Sequence, residues 1–112
     1  MKVLAYKVGQ EPSEIEIEND LKVLQEFVGG YIEIIELSHP DLNCIYLLVC
    51  NEEGKISRLP ANRPVYREYG EIIDIICGDF FICRASEDDF IGLEDGDIEA
   101  IDYMECVGEV LQ

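Results

Sequence analysis

The segment from Ile45 to Tyr66, IYLLVCNEEGKISRLPANRPVY, constrains the fold more than any other stretch. It begins inside a continuous apolar run, Cys44 to Cys50, whose length and content fit a central strand buried on both faces. Asn51 to Gly54 then reads as a turn, with Gly54 available for positive φ. Beyond it lies a polar, Arg-rich loop stiffened by Pro60 and Pro64. Lys55, Arg58, Arg63 and Arg67 fall in or beside this loop, half of the 8 bases that the chain sets against 25 acids.

That imbalance, a net charge of −17, disfavours direct binding to nucleic acid or to an anionic membrane at ordinary ionic strength. It suits solubility or contact with a basic partner. The charge does not signal disorder, because 48% of the residues are hydrophobic and only 29% charged. A length of 112 residues fits one compact domain spanning 1–112. No apolar run approaches the roughly 20 residues that cross a bilayer, and MKVLAYKVGQ is too short and polar for a signal peptide. A cytoplasmic location is therefore expected. The 5 cysteines fit it: an odd number in apolar, strand-like runs reads as reduced, buried thiols.

Along the chain, Met1 to Val8 and the strictly alternating Glu14 to Glu18 flank turn residues, which predicts an N-terminal β-hairpin with Ile15 and Ile17 on one face. Asn19 is placed to cap a helix over Asp20 to Val28, with Leu21, Leu24 and Val28 at helical spacing and Gly29 and Gly30 ending it. Tyr31 to Leu37 reads as a strand. Its acids Glu33 and Glu36 do not share a face, so an irregularity or partial burial is expected there. Glu71 to Cys83 is apolar except at Asp74, Gly78 and Asp79, and is either one bulged strand or two strands meeting at Gly78. The stretch Asp95 to Gly108 predicts a helix with Ile98, Ile101, Met104 and Val107 inward. The sum is an α+β fold: a mainly antiparallel sheet, a short helix after the first hairpin and an acidic C-terminal helix.

Familiar chemistry is hard to place on these residues. Cys44 and Cys50, like Cys77 and Cys83, would lie roughly 20 Å apart in extended chain, too far to share one zinc ion. A calcium loop begun at Asp95 would have Ala100 where the turn glycine belongs and Cys106 where the bidentate glutamate belongs. No nucleophile elbow, phosphate loop or dinucleotide glycine pattern is present. Asp74 and Asp79 are the carboxylates to test for acid and base work, with His39 beside Pro40 the single imidazole. No catalytic residue, metal or cofactor is assigned, and a non-enzymatic role is expected. In the basic loop, Lys55, Arg58, Asn62, Arg63 and Arg67 can cradle a nucleotide or another anion. The competing reading pairs these cations with nearby acids, and gives Asn51 and Asn62 turn-backbone hydrogen bonds.

Four stretches, LQEFVGGYIE from Leu24, LVCNEEGK from Leu48, LPANR from Leu59 and DIICGDFF from Asp74, resemble the family of domain of unknown function 3846. The resemblance spans nearly the whole chain. It departs at Cys77 and Asp79, where relatives carry a small residue and a threonine. The resemblance implies a setting in phages and conjugative elements of Firmicutes and relatives, and no catalytic residue. By analogy of setting, it suggests an antirestriction or other counter-defence role.

The expected function is then binding of a basic or DNA-binding protein of the bacterial host, through carboxylates standing where DNA places phosphates. The acids assigned to that surface are Glu87, Asp88, Asp89, Glu94, Asp95, Asp97, Glu99, Asp102 and Glu105. The alternative is the small-ligand module at the Lys55 to Arg67 loop.

Overall fold

The structure, a computed structural model, describes residues 1–67 and 70–111. Its strands are β1 (Lys2–Tyr6), β2 (Ser13–Glu16), β3 (Ile32–Leu37), β4 (Tyr46–Asn51), β5 (Ala61–Tyr66), β6 (Ile72–Cys77), β7 (Phe80–Ser86) and β8 (Asp89–Ile91). Two helices, α1 (Leu21–Val28) and α2 (Asp97–Met104), complete the order. The main sheet runs β2-β1-β7-β4-β3, and β8 pairs with β7 beyond the end of β1. β5 and β6 form a separate ribbon, and every strand pair is antiparallel. The α+β class with a mainly antiparallel sheet is thus what the chain adopts.

Alternation decides the layers, since successive side chains of a strand point to opposite faces. Val3, Val49, Phe81 and Cys83 face α1, where Leu24 is fully buried and Phe27 meets Phe81 edge-on at 5.7 Å. Leu4, Tyr6, Tyr46, Leu48, Phe80 and Ile82 face the other way, onto Val65 and Ile76 of the ribbon and Ile101 and Met104 of α2. Burying Leu24 and Val28 stabilises the docked α1 by about 1.5–3 kcal/mol each. Gly29, at φ 85°, ends that helix in the left-handed region and donates its N–H to the Gln25 carbonyl.

Several expectations are corrected. Asp20, not Asn19, holds the N-cap position of α1 and makes no side-chain capping bond there. Asn19 instead donates its amide to Asp89 Oδ1 at 3.1 Å and to the Phe90 carbonyl at 3.0 Å, tying the helix entry to β8. β3 pairs with β4 through six residues without irregularity, and Glu33 and Glu36 both reach solvent because β3 is a sheet edge. The basic segment is only partly loop: Ala61–Tyr66 is a strand, with register shifts beside Asn62 and between Val65 and Tyr66. Pro64 is tolerated there because the ribbon asks little of its missing N–H, while its carbonyl accepts from Gly108 N at 2.8 Å. The C-terminal helix stops at Met104. Glu105 takes φ 53°, and the chain then runs along the free edge of β5, bridging Val107 to Val65.

Candidate functional site

Between β5, the turn after β1, α2 and the C-terminal segment lies a groove of about 1210 Å³. Arg63 lines it from β5, although its side chain is 98% hidden, with only 2% exposure. Asn62 and Arg63 are both buried because the β5 backbone is gripped on one edge by β6 and on the other by the C-terminal segment. Asn62 donates to the Tyr6 carbonyl at 2.9 Å and to the Gly78 carbonyl at 2.8 Å, and its Oδ1 accepts from Arg63. Arg63 also donates to the Lys7 carbonyl at 3.4 Å and to the Gln10 carbonyl, and lies 5.2 Å from the Tyr6 ring centroid. Tyr6 stacks on Phe80 at 4.7 Å. Burial pushes the Tyr6 hydroxyl up to about 12, the Arg63 charge opposing and the Asp102 charge adding.

Among the described residues no carboxylate lies within 4.0 Å of the Arg63 guanidinium. Among the described residues its charge is met by the backbone carbonyl oxygens of Lys7 and Gln10, the side-chain carbonyl oxygen of Asn62 and the Tyr6 π face, a weaker compensation than an ion pair at that depth. The groove wall nevertheless carries Glu11, Asp102, Glu105 and Glu109, so the field along it is mixed. Arg67 shares the groove but pairs with Glu71 at 3.6 Å.

The five residues grouped in sequence as an anion cradle are therefore divided. Asn62, Arg63 and Arg67 are at or beside the groove. Lys55 belongs to a smaller recess of about 190 Å³, where it binds Asp74 and holds that carboxyl below its usual range. Arg58 sits in a turn at φ 59° and lines neither cavity. Asn51 caps its own turn by accepting from Glu53 N at 2.7 Å, and it reaches α1 by donating to the Val28 carbonyl.

The acidic residues divide as well. Glu87, Asp88 and Asp89 are exposed at the turn between β7 and β8, while Glu94, Asp95, Glu99, Asp102 and Glu105 are exposed on and around α2. Asp97 does not belong with them. It is 5% exposed, accepts from Tyr46 Oη at 2.5 Å and from Glu94 N at 2.6 Å, and lies 3.0 Å from Arg84 Nε. That Arg84 contact is close enough for an ion pair but off the line a hydrogen bond needs. Glu94 pairs with Arg84 at 3.0 Å; the other exposed acids of this set have no cation within 4.0 Å among the described residues. Glu99 and Asp102, three residues apart, share one stripe of α2, and Asp95 lies in the turn just before the helix.

Asp74 and Asp79 act apart: Asp74 on Lys55 and Ile75 N, Asp79 on Val8 N at 2.9 Å. Cys50 and Cys83 have thiols pushed up to about 12, chiefly by burial. No group of three potential metal ligands is found among the described residues. The groove itself was invisible to sequence reading, because Tyr6, Glu11, His39, Tyr66 and Tyr103 come to it from separate elements with no shared motif.

No described helix is long and apolar enough to cross a membrane. Comparison with curated proteins finds no match, and comparison with solved structures finds none either. The profile of one family, described as "Domain of unknown function (DUF3846)", matches residues 1–108. With nearly its whole length matched, the chain belongs to the DUF3846 family.

Proposed function

We propose that this protein is a non-enzymatic binding module that engages a basic host protein through the carboxylates around α2. The observation that supports it is the set Asp95, in the turn before α2, and Glu99 and Asp102 on α2, all exposed and without a cation within 4.0 Å among the described residues. The three-residue step from Glu99 to Asp102 spaces those two charges by about 4.5 Å along the helix, with Asp95 in the turn before it. Duplex DNA carries a charge every ~1.7 Å of axis, so the stripe alone is sparser than a duplex and Glu105 and the 87–89 turn must add to it. A DNA-binding protein is the partner best matched to such a row, and a counter-defence role in a phage or conjugative element is the setting proposed for it.

The test is capture of host proteins by the tagged chain at low and high salt, run beside a variant carrying Asp95→Asn, Glu99→Gln and Asp102→Asn. Salt-labile enrichment of a DNA-binding protein, lost in the variant, is the expected result. Equal capture by the variant would remove the proposal.

A second reading has its own support, the Arg63 cation at the groove, which has no carboxylate within 4.0 Å among the described residues. A nucleotide or phosphate placed there would supply the missing counter-charge. Four groove acids oppose it, which is why it stands second. It predicts that phosphate or a nucleotide raises the melting temperature and that Arg63→Lys, which loses the fork of donors, abolishes the rise.

A further inference from the structure

The groove beside β5 holds polar groups that the fold leaves without partners. Its rim carries Glu11 from the turn after β1, Asp102 and Glu105 from α2 and its end, and Glu109 from the C-terminal segment. All four are exposed, and among the described residues none has a side-chain hydrogen bond or a cation within 4.0 Å. The floor holds Tyr6, which is 6% exposed. The Tyr6 ring is engaged by Phe80 and Arg63, yet its hydroxyl makes no hydrogen bond among the described residues. That oxygen is not sealed off either, so it opens into the groove that Tyr6 lines. A phenol buried to this degree ordinarily has a partner for its O–H.

The two cations of the groove are already engaged. Arg63 donates to the Lys7 and Gln10 carbonyls and to Asn62 Oδ1, and Arg67 pairs with Glu71. What the groove offers an occupant is therefore a rim of carboxylates and, at the floor, one hydroxyl that stays protonated at neutral pH. Asp102 acts on that hydroxyl, so the acidic rim reaches down to the floor on the α2 side. A nucleotide or phosphate meets the four rim acids as like charges. At about 1210 Å³ the groove also exceeds the roughly 300–1,000 Å³ of ordinary small-ligand sites. An extended polypeptide rich in lysine or arginine fits both facts, because it brings cations for the rim and uncharged carbonyl acceptors for the floor.

We propose that the groove holds an extended, basic segment of the partner protein, with its lysine or arginine side chains on Glu11, Asp102, Glu105 and Glu109 and a main-chain carbonyl accepting from the Tyr6 hydroxyl. Successive side chains of an extended chain leave it on opposite sides, so one segment serves the wall of Glu11 and the wall of α2 together. The inference rests on the reading of a basic partner and adds where, and by which kind of segment, that partner is held. Asp102 belongs both to the acidic surface of α2 and to the groove, and so joins the two.

The experiment is fluorescence anisotropy of a labelled octapeptide of alternating lysine and alanine, titrated with the full chain at low salt. Saturable binding is expected. Tyr6→Phe keeps the ring contacts with Phe80 and Arg63, leaves the circular dichroism spectrum unchanged and weakens binding about fivefold. Glu11→Gln with Glu109→Gln weakens it about tenfold. Glu14→Gln with Glu18→Gln removes the same charge at exposed positions that do not line the groove, and changes binding by about twofold or less. Spermine, cationic but without a carbonyl, binds the wild-type and Tyr6→Phe chains alike. No saturable binding, binding indifferent to Tyr6→Phe, or equal weakening by the two glutamate pairs overturns the proposal. If these tests fail while host-protein capture is still lost on neutralising Asp95, Glu99 and Asp102, the groove falls and the α2 reading stands. Capture unchanged in that variant, with peptide binding still sensitive to Tyr6→Phe, removes the α2 reading and leaves the groove.

Discussion

Asp97 shows how far one residue's role departs from its type. In sequence it is one more acid in a crowded helix start; in the fold it joins β4, β7 and the α2 entry through Tyr46, Arg84 and Glu94 N. Asp97→Ala strands the Tyr46 hydroxyl and is expected to cost about 2–4 kcal/mol, toward the lower end because Arg84 can still reach water. Asp97→Asn keeps an acceptor for Tyr46 and should cost less; equal losses by urea denaturation would remove this account. The titrating side chains make a second prediction. Burial raises Cys50 and Cys83 from 9.0 to about 12, and Tyr6 from 10.0 to about 12. Tyr46 moves in the same direction, again through burial first. In this window the unfolded chain loses these protons before the folded one, so their stabilisation is complete below pH 9 and declines toward pH 12. The melting temperature should fall steadily from pH 9 upward. A Cys83→Ala variant, though less stable at neutral pH, should fall less steeply between pH 9 and 10.

At the scale of elements, what was legible were the pieces with a clean period or a clear stop. The first hairpin, α1, the central strand β4 and the break at Gly78 all follow from alternation, helical spacing and glycine. What was not legible is the partnering. The strands on either side of Gly78 enter different sheets, because the sharp turn at φ 86° swings β7 away from β6, and no local pattern encodes that. β5 was hidden by Arg63 and Pro64, whose burial depends on a C-terminal segment some forty residues away. The candidate groove depends on the same long-range closure, so Arg63 was legible as a candidate and its surroundings were not. Gly54 tests the joint between turn and ribbon: a Cβ there would lie 2.7 Å from the Cys77 carbonyl oxygen, a backbone atom that cannot swing aside. Gly54→Ala is expected to destabilise by about 1–3 kcal/mol. Unchanged stability would show that the turn is not seated against β6.

At the scale of the whole molecule, charge opposes folding more than it helps. The described ion pairs are few and mostly exposed, so each contributes little, while 25 acids confined to a body of 36 × 31 × 23 Å repel one another. At 0.01 M salt the screening length is about 30 Å and every acid feels nearly every other; at 0.1 M it is about 10 Å and only neighbours interact. Added sodium chloride should therefore raise the melting temperature across this range. The variant with Asp95, Glu99 and Asp102 neutralised should begin higher and rise less, because its repulsion is already reduced. A melting temperature that falls with salt would mean that Lys55–Asp74, Arg67–Glu71 and the Arg84 pairs outweigh the excess acids. The acidic surface would then be a self-compensated skin, with little attraction left for a basic partner.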